Sequence, residues 1–224
     1  MGYLTLLDTA NAAKSIYKNA DCDRLTLTGG FFDPKNNDRL GWQKAGDAGG
    51  GSGGLYEFNA GTNKFIISFR GSKGDKDWHT DDRQIALNWT VDRASDCIKY
   101  AKGIKASKPG ADIVVVGHSL GGFLAQMVGA MCDLPFVTYN APPAGRQTSA
   151  PNARGINIRV NWDPVSRAFG KHVGPLISLP HYGGNIFDAH TSAAYIKSVK
   201  ESKFCDLPVH TVITVANRGK GQWL

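Results

Sequence analysis

Gly117-His118-Ser119-Leu120-Gly121 is the five-residue stretch of this chain whose residue types could do chemistry. A serine between two glycines suits a nucleophile held on a turn too sharp for bulky neighbours. In a chain with 27 glycines such a pattern is weak on its own, so its surroundings must decide. A serine hydroxyl is a poor nucleophile. It needs a base to take its proton, and the base needs a carboxylate to fix its tautomer. That constellation would attack an acyl carbonyl and pass through an acyl-enzyme.

The acids after Ser119 are Asp133, Asp163, Asp188, Glu201 and Asp206. Asp163 is preferred because Asn161-Trp162-Asp163-Pro164-Val165 directly follows a strand-like Ile158-Arg159-Val160. Sites on open α/β sheets collect at the carboxyl ends of strands. Asp188 lies only two residues from a histidine and reads as a local cap. Four histidines follow Asp163, namely His172, His181, His190 and His210. His190, at a loop-to-helix transition, is the preferred base, and His181 stays open as its rival.

Regular elements must position these groups. Asp112–Gly117 is a continuous β-branched run bounded by turn residues, the pattern of a strand buried on both faces. An apolar helix from Leu120 to Cys132 follows it, so the serine falls between strand and helix. Further helices are expected over about 4–18, 88–107 and 190–202. Strands are expected over 55–58, 64–69, 136–139, 156–160 and 176–179, with Val209–Val215 as the last. Gly49–Gly54 reads as a loop. Strands alternating with helices imply an α/β fold with a mostly parallel central sheet and helices on both faces. The 224 residues fit one domain, and no internal repeat is visible.

Composition narrows the function classes. The formal charge is +7, yet no run of five basic residues and no interleaving of basic with aromatic residues points to nucleic acid. An anionic membrane surface is the partner such a charge would favour. Four widely spaced cysteines contain no Cys-x-x-Cys, and there is no His-Glu-x-x-His, so neither a metal nor another cofactor is expected. Cys97 and Cys132 read as buried thiols, and a Cys22–Cys205 bridge is left open. No basic-then-apolar leader and no membrane-spanning stretch is visible, which implies a soluble protein, cytoplasmic or exported without a cleaved signal, as a bacterial effector would be.

Several segments together resemble the class 3 lipase family of α/β-hydrolases, which includes fungal triacylglycerol lipases and related phospholipases and esterases. Phe65 to Ser72 is similar to the family strand ending in Phe-Arg-Gly-Ser. Asp77-Trp78-His79-Thr80-Asp81 is similar to its Asp-Trp-x-x-Asp. Val114–Gly122 carries the family elbow, Thr138–Gly145 its Gly-Ala-Pro-x-x-Gly strand end, and Asn161–Val165 the segment with the acid. The matches occur in family order over residues 65–195.

The resemblance implies Ser119 as nucleophile, Asp163 as orienter and His190 as base. It implies Ser72 and the backbone N–H of Leu120 as the oxyanion hole, with Arg70, Asp77 and Asp81 in a supporting ion-pair network. The implied substrate is a lipid ester, cleaved as a lipase or phospholipase A would cleave it. An acyltransferase or thioesterase on the same fold, and a lipid-binding module without catalysis, are the alternatives. Asn140 stands where the family often has Gly, and Pro143 where it often has Arg. Lys73–Asp77 is short and polar where fungal relatives carry a lid helix.

Overall fold

Alternation of side chains across a strand lets one β-branched run feed two cores at once. In β4 (Asp112–His118), Ile113 and Val115 face one core while Val114 and Val116 face the other. The computed structural model describes residues 2–18, 20–31, 53–71, 82–146, 148, 150, 152–168, 170–185 and 188–219. Ser72, Asp77, Asp81 and the 73–77 segment lie outside them.

Seven strands form one sheet in chain order: β1 (Leu25–Phe31), β2 (Gly53–Phe58), β3 (Lys64–Phe69), β4, β5 (Phe136–Tyr139), β6 (Gly155–Val160) and β7 (Leu176–Leu179). The β1–β2 and β2–β3 pairs are antiparallel, and every pair from β3 to β7 is parallel. The parallel pairs put the carboxyl ends of β3 to β7 along one edge. Helices α2 (Asp82–Ser107) and α3 (Leu120–Cys132) make the β3–β4 and β4–β5 crossovers. They pack on one face, against Phe65, Ile67, Val115 and Phe136. On the other face α1 (Leu6–Ser15), α4 (Ser192–Lys200) and α5 (Val209–Arg218) cover Val114, Val137, Ile156 and Ile177. The sheet is mostly parallel with helices on both faces, as the sequence implies.

Local signals set the ends of α1. Thr5 Oγ1 accepts the Asp8 N–H at 3.2 Å while the Asp8 carboxylate accepts the Thr5 N–H at 2.8 Å, a reciprocal cap. Arg24 pairs with the same carboxylate. The segment before α1 is also laced to the one before α5. The Leu6 and Leu7 N–H groups donate to the carbonyls of Leu207 (3.3 Å) and Cys205 (3.2 Å), and Val209 N–H donates to Leu4 O (2.8 Å).

Two expectations need correction. Val209–Val215 is not a strand but the start of α5. Its β-branched residues suggest a strand, yet Val209, Val212, Ile213 and Ala216 are the buried ones, at helical spacing. Burial along that stripe outweighs β propensity. A strand also occupies Leu25–Phe31, where a polar, glycine-rich region gives no clear alternating signal. Cys22 and Cys205 carry free thiols and form no bridge, and Cys97 and Cys132 are buried. Among the described residues no helix is long and apolar enough to cross a membrane.

Candidate active site

Ser119 sits between β4 and α3 with φ 58° and ψ −132°, a backbone conformation that L-residues rarely adopt. The turn holds because neighbouring chain closes around it. A Cβ on Gly117 would lie 2.2 Å from the Gly121 carbonyl oxygen, and one on Gly121 would lie 2.1 Å from that of Phe69. Any larger residue at either position would push strand, turn and helix apart. The Ser119 N–H donates to Tyr139 O at 3.0 Å, which ties the turn to the end of β5.

Ser119 Oγ lies 3.0 Å from His190 Nε2, and His190 Nδ1 lies 2.8 Å from Asp163 Oδ1. Asp163 is an acceptor, so Nδ1 carries the proton and Nε2 is left to accept from the serine hydroxyl. His190 comes from a short 3-10 turn, Asp188–His190, just before α4. Asp163 follows β6 and is completely buried. Burial by itself would raise its pKa, but hydrogen bonds from His190 and Ser166 outweigh that and hold the carboxyl below its ordinary value. The Ser166 N–H at 2.9 Å and the Val165 N–H at 3.2 Å both donate to it. The carboxylate is therefore charged, fixed and dry, and it faces the ring of His190.

The other histidines stand elsewhere. His181 packs against the edge of Trp162, with ring centroids 5.9 Å apart. His172 Nε2 faces the Ser166 carbonyl at 3.4 Å, in the turn that holds Asp163. His210 pairs with Asp112 at the opposite end of the sheet. Among the acids, Asp133 caps the C-terminus of α3 and pairs with Arg154. Asp188 uses its backbone carbonyl to accept from Thr191.

Leu120 opens α3, so its N–H belongs to the first turn, where helical backbone donors lack partners within the helix. Gly71 approaches from the end of β3: a Cβ there would lie 3.3 Å from Leu120 N. The strand leading to Ser72 thus passes directly beside that N–H. No group of three or more His, Cys, Asp or Glu suited to a metal occurs among the described residues.

Three neighbours have no signature in the sequence reading. His118 is the variable residue of the glycine-serine-glycine pattern, Tyr17 lies 101 residues from it, and Asn140 stands out only as a departure from the family. His118 Nε2 donates to the His190 carbonyl at 2.7 Å, and Asn140 Nδ2 donates to the Ala189 carbonyl at 2.8 Å.

Comparison with known proteins bears on the family and the fold. The model of the phospholipase-like family, described as the Tle-like phospholipase domain, matches residues 9–162. No curated protein sequence matches the chain. Among solved structures, the Lip2 lipase of Yarrowia lipolytica superposes with a TM-score of 0.53 at 15% identity, covering 77% of each chain. A triacylglycerol lipase from Penicillium expansum gives 0.52 at 16% identity, over 90% of this chain and 89% of that one. A lipase from Rhizopus microsporus var. chinensis gives 0.51 at 13%, over 93% and 87%. At such identities the likeness bears on the fold, which is the α/β-hydrolase fold. The match over most of the sequence goes further: this chain belongs to the phospholipase-like family of the Tle-like phospholipase domain.

Proposed function

We propose that the protein is a serine carboxylic-ester hydrolase that cleaves lipid esters, as a lipase or phospholipase A does, through Ser119, His190 and Asp163. The observation that carries this is the unbroken line from Ser119 Oγ to His190 Nε2 and from His190 Nδ1 to Asp163, at 3.0 and 2.8 Å. Family membership supplies the substrate class.

Ser119 Oγ attacks the ester carbonyl carbon while its proton passes to His190 Nε2. The imidazolium that forms is stabilised by the charged Asp163. The Leu120 N–H, with Ser72 as second donor, takes the developing oxyanion, where one such donor is worth about 10²–10³ in kcat. Collapse of the tetrahedral intermediate expels the alcohol, which leaves with the proton from Nε2. The acyl group stays on Ser119. Water then gives a proton to the same nitrogen and attacks the acyl carbon; the bond to Ser119 Oγ breaks, the serine oxygen takes that proton back from Nε2, and the acid is released.

The same edge of the sheet suits a lipid surface. Trp162, beside Asp163, is 58% exposed, and Tyr182 is 43% exposed. The Lys197 ammonium lies 5.9 Å from the Tyr182 ring. Exposed Trp and Tyr with a nearby cation favour the interface of an anionic bilayer, in keeping with the net charge of +7.

The decisive test is hydrolysis of triglycerides, phospholipids and short p-nitrophenyl esters by wild type and Ser119→Ala, with fluorophosphonate labelling alongside. Wild type should cleave at least one lipid class and be labelled. Ser119→Ala should not be labelled and should lose about 10⁶-fold in kcat. Equal hydrolysis by the two proteins would sink the proposal.

A further inference from the structure

A base that must meet both a serine and an aspartate is only as well placed as its backbone. His190 lies 71 residues from Ser119 and 27 from Asp163, on a three-residue 3-10 turn. Such a turn has little internal structure to hold it. A misplacement of about 1 Å can cost about 100-fold in rate, so something must pin this segment to the sheet.

Two buried side chains do so. His118, the last residue of β4, donates from Nε2 to the His190 carbonyl at 2.7 Å. Asn140, just past β5, donates from Nδ2 to the Ala189 carbonyl at 2.8 Å. The other half of the Asn140 amide accepts the Val160 N–H at 2.8 Å, at the end of β6. Two successive carbonyls of the base-bearing turn are thus held by side chains from neighbouring strand ends. Asn140 has φ 47°, so asparagine replaces the glycine that such a backbone favours and adds an amide that glycine lacks.

Tyr17 completes the arrangement. To donate from Nε2, a neutral His118 must leave Nδ1 as acceptor, and the Tyr17 hydroxyl faces Nδ1 at 3.2 Å. Burial pushes the His118 pKa down to about 3, with the nearby His190 adding to the effect, so the ring stays neutral. The Tyr17 oxygen also accepts the Gly71 N–H at 3.1 Å. Gly71 immediately precedes Ser72.

We propose that His118 and Asn140 are positioning residues that clamp the turn bearing His190 through two successive backbone carbonyls, and that Tyr17 joins this clamp to the end of the strand leading to the oxyanion hole. The proposal rests on the reading of His190 as the base. None of the three residues exchanges a proton with substrate: His118 and Asn140 act through the His190 and Ala189 carbonyls, and Tyr17 through His118 and the Gly71 N–H.

The test is kcat and KM for a short p-nitrophenyl ester, per active site titrated with a fluorophosphonate, in Asn140→Gly, His118→Phe, His118→Gln and Tyr17→Phe. Asn140→Gly keeps the backbone conformation accessible and deletes only the amide. It removes the bond to the Ala189 carbonyl together with the one from the Val160 N–H, and should lower kcat at least about tenfold with KM little changed, the scale of one or two buried hydrogen bonds. His118→Phe should lose at least as much. His118→Gln, whose amide can still donate to the carbonyl, should recover part of the loss, and Tyr17→Phe should show the smallest fall. A purely structural role would instead reduce the number of titratable sites and leave kcat per site unchanged. Wild-type kcat per site in Asn140→Gly and His118→Phe would overturn the clamp while leaving the base reading intact. Should His118→Phe not fold, Asn140→Gly and Tyr17→Phe decide. A wild type that the probe does not label would overturn the base reading itself, and the clamp with it.

Discussion

Two aspartate–histidine pairs occupy opposite ends of the same parallel sheet. Asp163 and His190 meet at 2.8 Å beyond the carboxyl end of β6, and Asp112 and His210 meet at 2.7 Å where β4 begins. The distances are nearly equal; the surroundings are not. The side chains of the first pair are 0% and 15% exposed, against 34% and 47% for the second. Asp163 also receives backbone N–H groups, and its histidine touches a serine on a strained turn. His210 touches only the carboxylate of Asp112 among its described hydrogen bonds. On the proposed reading, such a pair serves catalysis when it is dry, held from behind and aimed at a serine. The end of the sheet, rather than the pair, decides that.

The largest expected contrast comes from neutralising each carboxylate. Asp163→Asn should lower kcat by about 10⁴-fold, since the amide favours the wrong tautomer of His190. Asp112→Asn should leave kcat within about twofold, because exposed pairs contribute little even to stability. Comparable losses in both variants would dissolve the distinction.

Acid sharpens the comparison through stability. The His118 pKa is depressed in the fold from 6.5 to about 3, so the unfolded chain binds a proton that the native one refuses. Its contribution is present above pH 6.5 and is lost as the pH falls toward 3. Lowering the pH from 6.5 to 5 should cost on the order of 2 kcal/mol from this group. Asp163 acts in the same direction at lower pH: its depressed pKa gives stability that is lost as the carboxyl protonates. Thermal midpoints of wild type and His118→Gln across this range measure the histidine's share. Parallel curves would mean that His118 does not set the acid sensitivity.

The smallest effect is expected at the exposed pair. His210→Ala should change stability by less than about 1 kcal/mol, read as a shift in the denaturant midpoint. A larger loss would show that the outer pair also holds the sheet together.

Residues contiguous in the chain were the legible part. Strand, serine turn and helix follow one another from Asp112 to Cys132, so their periodicity and glycines show in one short window. Asp163 is legible for the same reason, as it directly follows a strand. A loop-to-helix transition is the local signal that favours His190 over His181, and the fold places His190 3.0 Å from Ser119 Oγ while His181 packs on Trp162. Tyr17 and His118 meet across 101 residues, for which no spacing rule exists. Asn140 shows in the sequence only as a residue out of place, because its value lies in a positive φ and two long-range bonds. The end of the chain misleads for another reason. Val209–Val215 is β-branched, but a helical stripe of four residues meets an apolar sheet face, and burial overrides propensity.

The lacing of residues 4–7 to residues 205–209 has a consequence for how the molecule comes into being. Chains emerge from the ribosome amino end first, at roughly 5–20 residues per second. Helix α1 is made long before the backbone groups of residues 205–209 and the Tyr195 hydroxyl that meet it. Tyr17 rides on the 3-10 turn that continues that helix, and His190 follows it in the chain by about 170 residues. A nascent chain that has not reached residue 190 holds Ser119 but not the proposed base. On the proposed reading, hydrolysis therefore waits until α4 and α5 have been made and have met α1, a helix synthesised long before them.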